Sequence, residues 1–413
     1  MTGQSPRVRD RHHDVVVIGA GAAGIAITQG LRQRDPHLDI AMVDPAADHY
    51  YQPGWTLVGG GVFDAERTRR AMAEVLPGGV SHYARAAVDI DPERAAVRLE
   101  DDRALHYRAL VIVPGLELDW AAVEGLSETL GQHGVTSNYR FDLAPYTWSL
   151  VQNLRQGRAL FTQPAMPIKC AGAPQKAMYL ACDHWRRSGV LDNINVSFHN
   201  AGGALFGVSA YIPALMEHVE RYGIELSFHR QLVAVDGARR QAHFVNHGAD
   251  GRQQECVETF DMLHVVPPQR APTLIRDSRL ANDAGWLHLH PHTLQHQRYP
   301  AIFGAGDVSS TPNAKTAAAV RVQAPIVADN VMAYLQGQAL SARYQGYGAC
   351  PLTVSRGKVV LAEFGYGGRL MPSLPVWLND GQRATGLAWQ LKAHLMPVIY
   401  WQMMLKGREW LVS

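Results

Sequence analysis

Cysteine, net charge and long apolar runs are all scarce in this chain of 413 residues. Its four cysteines are Cys170, Cys182, Cys256 and Cys350, separated by 12, 74 and 94 positions. Four cysteines in so long a chain cannot form the disulfide scaffold of a small secreted protein, and the lack of a CxxC pair argues against a structural zinc site. The net charge is +2, from 39 basic and 37 acidic residues, with no long basic run. Nucleic acid is therefore not an expected partner. No run of 18 uncharged apolar residues occurs, so no helix is expected to span a membrane. The residues ahead of the first strand hold no apolar stretch, and Arg9 and Arg11 are not adjacent. Neither a secretory nor a twin-arginine signal is expected, and cytosolic synthesis and folding is the simplest expectation. Solenoid-period repeats and low-complexity segments are missing too. The 47% hydrophobic share excludes a disordered tail protein, and the length suits two domains plus an appendage.

What is present begins with Asp14 to Ile18 (DVVVI), a continuous apolar run of the kind a strand buried on both faces shows. Gly19, Gly21 and Gly24 follow in a GxGxxG spacing, then a helical pattern through Leu31. A second strand over Asp39–Asp44 ends in an acid 20 residues past Gly24. This is a βαβ dinucleotide-binding fingerprint in full context. Its glycines let the backbone approach a pyrophosphate, the helix N-terminus stabilises the charge, and Asp44 can accept from a ribose hydroxyl. Downstream, YPAIFGAGD (299–307) leads through Lys315 and Thr316 into an alanine-rich helix. That segment resembles the second flavin motif of flavoproteins with two dinucleotide-binding domains, which selects FAD. The resemblance implies that Asp307 holds the ribityl chain, with Gly306 beside it in the cofactor site. The following helix N-terminus, with Lys315 beside it, would stabilise charge on the reduced flavin. LVIVPG, ending at Gly115, looks like the crossing where this class leaves its first domain. His288, His290 and His292 alternate as if along one strand face, but they run directly into the flavin motif, and a metal site is not expected there.

A second GxGxxG is lacking in the middle of the chain. The strand Arg158–Gln163 has the right place, and the loop after it has the wrong residues for a nicotinamide dinucleotide: two prolines, a cysteine and a lysine. Cys170 lies just ahead of a helix expected over about 174–185, with Lys169 and Lys176 nearby. Such a position favours a thiolate, while a buried inert cysteine is the alternative.

The segments PIKCAGAPQKAMYLACDHW, HYYQPGWTLVGGG (49–61) and ACPLTVSRGKVVLAEFGYGG (349–368) resemble the sulfide:quinone oxidoreductases, in particular the mitochondrial-like, two-cysteine branch and its bacterial relatives. The resemblance runs from about residue 13 to the end. It implies FAD as cofactor and a Cys170–Cys350 pair beside it, bridged directly or through an extra sulfur. Hydrosulfide opens this bridge, leaving a persulfide on Cys350 and a flavin-facing thiolate on Cys170. Lys176 and Lys392 match basic positions near that site, and each is equally readable as a solvated lysine. The sulfane sulfur passes to a small acceptor such as glutathione, sulfite, cyanide, coenzyme A or polysulfide, and the electrons pass to ubiquinone or another membrane quinone. Cys182 and Cys256 match no redox position.

The carboxyl-terminal stretch holds Trp377, Trp389, Trp401 and Trp410, four of the nine tryptophans, with an apolar run over 395–405 flanked by basic residues. A helix lying in the headgroup layer fits this pattern, as does one buried against another protomer, and the family likeness favours the first. Phe364, Tyr366 and Tyr400 are candidate quinone-channel aromatics, though core packing explains each almost as well. The expected fold is tandem Rossmann-like α/β, of the two-dinucleotide-binding-domain type. FAD-domain parts cover 1–145 and 295–335, a second Rossmann-like domain 146–294, and a membrane-associating region 336–413. The protein is expected to be peripheral to the cytoplasmic face of a bacterial inner membrane, with a homo-oligomer left open. The alternatives are a type II NADH:quinone oxidoreductase, the flavoprotein subunit of a flavocytochrome c sulfide dehydrogenase, and a non-catalytic sulfur-binding or sensor protein on the same scaffold.

Overall fold

The computed structural model describes residues 10–248 and 251–409; Arg9 and Trp410 lie outside them. The chain opens with β1 (Arg11–Ile18), α1 (Ala22–Arg34) and β2 (Ile40–Val43), and later adds β3 (Ala104–Ile112) to the same sheet. β1 lies between β2 and β3, parallel to both. It starts at Arg11, ahead of the apolar run, because Arg11 already pairs with Leu105 and the His13 ring is held by Asp39 and Tyr83. Residues Val15, Val16 and Val17 are fully buried, as a strand covered on both faces requires.

The polypeptide then enters a second parallel sheet at a short strand, Val135–Thr136, ahead of a helix over Leu143–Asn153. Four further strands complete it: β4 (Gly157–Gln163), β5 (Ile194–Asn200), β6 (Glu225–Phe228) and β7 (Met262–His264). The order is Val135–Thr136, β7, β4, β5, β6. Helix α2 (Ala173–Arg187) joins β4 to β5. A three-stranded antiparallel sheet over 230–259 is inserted before β7.

With β8 (Ile302–Gly304) the chain returns to the first sheet and pairs with β3, and α3 (Ala317–Leu335) follows. The expected strand of alternating histidines is not formed. Leu287 and Leu289 make only isolated bridges, and after them the chain turns: the His290 Nδ1 accepts the backbone N–H groups of His292 and Thr293.

Finally β9 (Gly348–Ser355) and β10 (Lys358–Phe364) form an antiparallel pair. The inward face of β9, with Cys350, Leu352 and Val354, shares a core with Ala177, Met178 and Ala181 of α2. Residues 386–406 form one helical rod that includes π-helical turns at Leu391–Leu395 and Ile399–Met403. Among the described residues no helix is long and apolar enough to cross a membrane.

Candidate active site

Cys170 lies in the loop between β4 and α2, three residues before the helix begins, and its backbone is left-handed (φ 49°), a conformation that costs a non-glycine residue about 1 kcal/mol. Neighbours hold it there. Its N–H donates to the Lys315 carbonyl at 2.8 Å, and the Tyr139 hydroxyl donates to the Lys169 carbonyl at 2.9 Å. The loop is thereby stitched to the segment entering α3.

Cys350 arrives on β9, and its sulfur lies 3.7 Å from that of Cys170, 180 positions away along the chain. Both are free thiols. Gly172 makes room for the approach: a Cβ there would sit 2.6 Å from the Cys350 sulfur and 2.2 Å from a Leu352 methyl carbon. The sequence reading missed Gly172. Its signal was a glycine between two alanines at the start of a helix, where a close approach is one of several explanations.

Lys176, in the first turn of α2, is 2% exposed and donates from Nζ to the Cys170 sulfur at 3.1 Å. The hydrogen bond from Cys350, and then the Lys176 ammonium, hold the Cys170 thiol well below its ordinary range, against the effect of burial. The same contact with Cys170, together with burial, pushes Cys350 well up. The pair therefore carries one charge, on Cys170, with the proton on Cys350. Burial works against the charge on Lys176, yet the two sulfurs raise it above the ordinary lysine range.

Lys392 comes from the carboxyl-terminal rod. It is 2% exposed, and its Nζ donates to the Pro53 carbonyl at 2.9 Å. Burial, and next the charge of Lys176, lower it to about 7. Neither lysine is the solvated surface residue that sequence alone allowed.

The dinucleotide loop joins β1 to α1, and α1 packs against α3. A Cβ on Gly24 would fall 1.8 Å from the Gly19 carbonyl oxygen, so helix and loop meet backbone to backbone. At Gly21 and Gly115 the space beyond the Cα is open. Asp44 accepts from the backbone N–H groups of Ala20 (2.6 Å) and Ala46 (2.8 Å), which anchors the loop to the end of β2. Gly306 and the half-buried Asp307 begin the turn after β8, where desolvation raises the Asp307 carboxyl against the pull of Lys169 and Lys315. Lys315 donates to the carbonyls of Asp307 (2.7 Å) and Ser309 (2.8 Å), and Thr316 caps α3 by accepting from the Ala319 N–H. Bare glycine backbone, an open helix N-terminus and a half-buried carboxyl flanked by cations fit a flavin dinucleotide.

Residues 13–158 match the pyridine nucleotide-disulphide oxidoreductase family model. The mitochondrial sulfide:quinone oxidoreductase of Mus musculus is 35% identical over 396 residues, covering 96% of this chain and 87% of that protein. That of Dictyostelium discoideum is 37% identical over 397 residues, covering 95% and 86%. The chain belongs to the sulfide:quinone oxidoreductase family. The crystal structure of the sulfide:quinone oxidoreductase from Aquifex aeolicus superimposes with a TM-score of 0.78 at 18% identity, over 97% of this chain and 92% of that one, which establishes the shared fold.

Within this family member, the remaining residues singled out from sequence fall in separate places. Phe364 packs edge-on against Phe206 in the core that holds Cys350. Tyr366 donates to the Pro291 carbonyl at 2.6 Å and packs against Tyr344. Tyr400 belongs to the core of the first sheet, where its hydroxyl meets His49. Cys182 is packed inside α2 and its thiol is pushed up by burial. Cys256 lies in the inserted sheet beside Arg230 and Asn246.

Proposed function

We propose that this chain oxidises hydrogen sulfide to sulfane sulfur and reduces a membrane quinone, with Cys170 and Cys350 as its sulfur-handling pair. The observation that carries the assignment of the pair is the 3.7 Å contact of the two sulfurs beside the Lys176 ammonium. Gly19, Gly21, Gly24, Asp44, Gly115, Gly306, Asp307, Lys315 and Thr316 would hold FAD. FAD, when bound, accepts two electrons and delivers them to the quinone.

In the oxidised state the two sulfurs are joined, directly or through one further sulfur. Hydrosulfide attacks the sulfur of Cys350, the sulfur–sulfur bond there breaks, and its electron pair stays on the Cys170 side, as a thiolate where the bridge is direct and as a persulfide anion where one further sulfur lies between. Lys176 stabilises that charge. Cys350 carries the new persulfide and gives its sulfane sulfur to a nucleophile such as glutathione, sulfite, coenzyme A or polysulfide. The pair of thiolates then loses two electrons and rejoins. Lys392, with its affinity for a proton near neutrality, suits proton exchange at the same place.

The quinone dissolves in lipid. A contiguous stretch of exposed apolar residues, Val376, Trp377 (84% exposed) and Leu378, together with Leu387, Leu395 and Val398 on the rod, suits seating in the headgroup layer. The cytoplasmic face of a bacterial inner membrane is the proposed location, and Phe364 and Tyr366 are proposed to lie along the quinone's route. The names of the relatives do not favour an NADH oxidoreductase or a flavocytochrome subunit.

Anaerobic sulfide should bleach the flavin absorbance of the purified protein while NADH does not, and decylquinone should restore it. Bleaching by NADH alone would overturn the reading, and so would bleaching by sulfide in full in a Cys350→Ser variant.

A further inference from the structure

Residue Ala20 sits between Gly19 and Gly21, and both of its backbone polar groups are held. Its N–H donates to Asp44, and its carbonyl is 3.2 Å from Nδ1 of His49. His49 is 3% exposed, on a short strand over Asp48–Tyr50. A carbonyl only accepts, so Nδ1 carries the hydrogen and Nε2 is an acceptor. Nε2 lies 2.7 Å from the hydroxyl of Tyr400, which therefore donates to it; the other acceptor in reach of that hydroxyl, the Tyr50 carbonyl, is farther, at 3.4 Å. The chain Tyr400–His49–Ala20 thus runs with one direction of donation, from the carboxyl-terminal rod to the dinucleotide loop.

The peptide joining Ala20 to Gly21 is a rigid trans plane, in which the carbonyl and the N–H point opposite ways. Fixing the Ala20 carbonyl therefore fixes the Gly21 N–H. Gly21 is the residue before the first turn of α1, and its side is open. Free N–H groups at such a position receive a pyrophosphate.

We propose that His49 is a positioning residue for FAD: held by Tyr400, it aims the Gly21 N–H at the cofactor's pyrophosphate, so that the carboxyl-terminal rod is part of the FAD-binding machinery. This rests on the FAD reading given above. It gives Tyr400 a role other than lining a quinone route. A buried imidazole that loses its hydrogen-bond partner is costly, so the isosteric change Tyr400→Phe should be felt at the loop.

The test is the rate at which the purified, detergent-solubilised holoenzyme releases FAD, followed by flavin fluorescence. Tyr400→Phe should release it about tenfold faster than wild type. His49→Asn, whose amide can still donate to Ala20, should fall between wild type and His49→Leu. Leu405→Ala, a cavity in the same core, should lower the thermal midpoint without this acceleration. Wild-type release rates in Tyr400→Phe and His49→Leu would overturn the proposal. Equal acceleration in Leu405→Ala would overturn it as well, by showing general loosening of the core. A wild-type protein that holds no FAD would instead overturn the cofactor reading beneath it.

Discussion

The β1–α1 and β4–α2 crossings are the same turn of the same fold, filled with opposite chemistry. At β1–α1 the loop is bare: Gly19 and Gly24 touch backbone to backbone, and the space beside Gly21 is left open. At β4–α2 the loop carries two prolines, a lysine and Cys170, and its one critical glycine, Gly172, yields its space to another strand's sulfur. The first crossing presents N–H groups to an anionic cofactor. The second presents a thiolate, with Lys176 on the helix behind it. A βαβ crossing thus supplies a position and a helix end, and the loop residues decide whether that end receives a phosphate or stabilises a sulfur anion.

The comparison is broken most severely by removing the sulfurs. Cys170→Ser and Cys350→Ser should each lower sulfide:decylquinone turnover at least about 10³-fold, as the loss of a covalent participant does. Lys176→Met should come next. In the reduced wild-type protein the Cys170 thiolate, read by its absorbance near 240 nm, should persist well below the pH at which a free thiol protonates. In the variant its midpoint should move up by about 1–3 pH units. Gly172→Ala forces its new methyl carbon on Cys350 and Leu352 and should cost about 1–3 kcal/mol in thermal or chaotrope unfolding.

Lys392 offers a gentler test. Its proton is lost on raising the pH through about 7, so the pH profile of turnover should show an inflection there that Lys392→Met abolishes. The lysine's pKa is lowered in the folded protein, so between about 7 and the ordinary lysine range the unfolded chain binds the extra proton. Folding stability should rise with pH across that window, and this rise should be smaller in the variant, where the depressed Cys170 thiol still contributes up to the ordinary thiol range. The smallest effect belongs to the helix that faces the first crossing: Thr316→Ala removes the cap of α3 and should cost about 1 kcal/mol of stability.

Much of this arrangement was legible in the sequence wherever local pattern determines it. The valine run forced a buried strand, the glycine spacing marked the loop behind it, and the lack of a second glycine loop marked the place of Cys170. The meeting of Cys170 with Cys350 could not be read from local pattern, because nothing near either residue encodes a partner 180 positions away; only the family resemblance supplied it. Alternating histidines suggested a strand because period-2 spacing is all a sequence shows; Pro291 and the His290 ring, which binds backbone N–H groups, instead make a turn. By local pattern Lys392 was one of several basic residues flanking an apolar run; only the family resemblance set it near the site, and its burial follows from the path of the whole rod. His49 gave no signal, since its two partners come from residues 20 and 400.

The π-helical turns of the rod have a geometric consequence. Lys392 and Tyr400 are eight residues apart, and in a regular α-helix eight residues overshoot two full revolutions by about 80°. The wider turns around Pro397 absorb that phase error. They bring both side chains to the inward face, one reaching Pro53 and the other His49, while Leu395 and Val398 stay outward. The rod works like a key cut to two wards: restoring ordinary pitch by deleting a residue would leave the outward apolar side serviceable and disengage one ward from its lock.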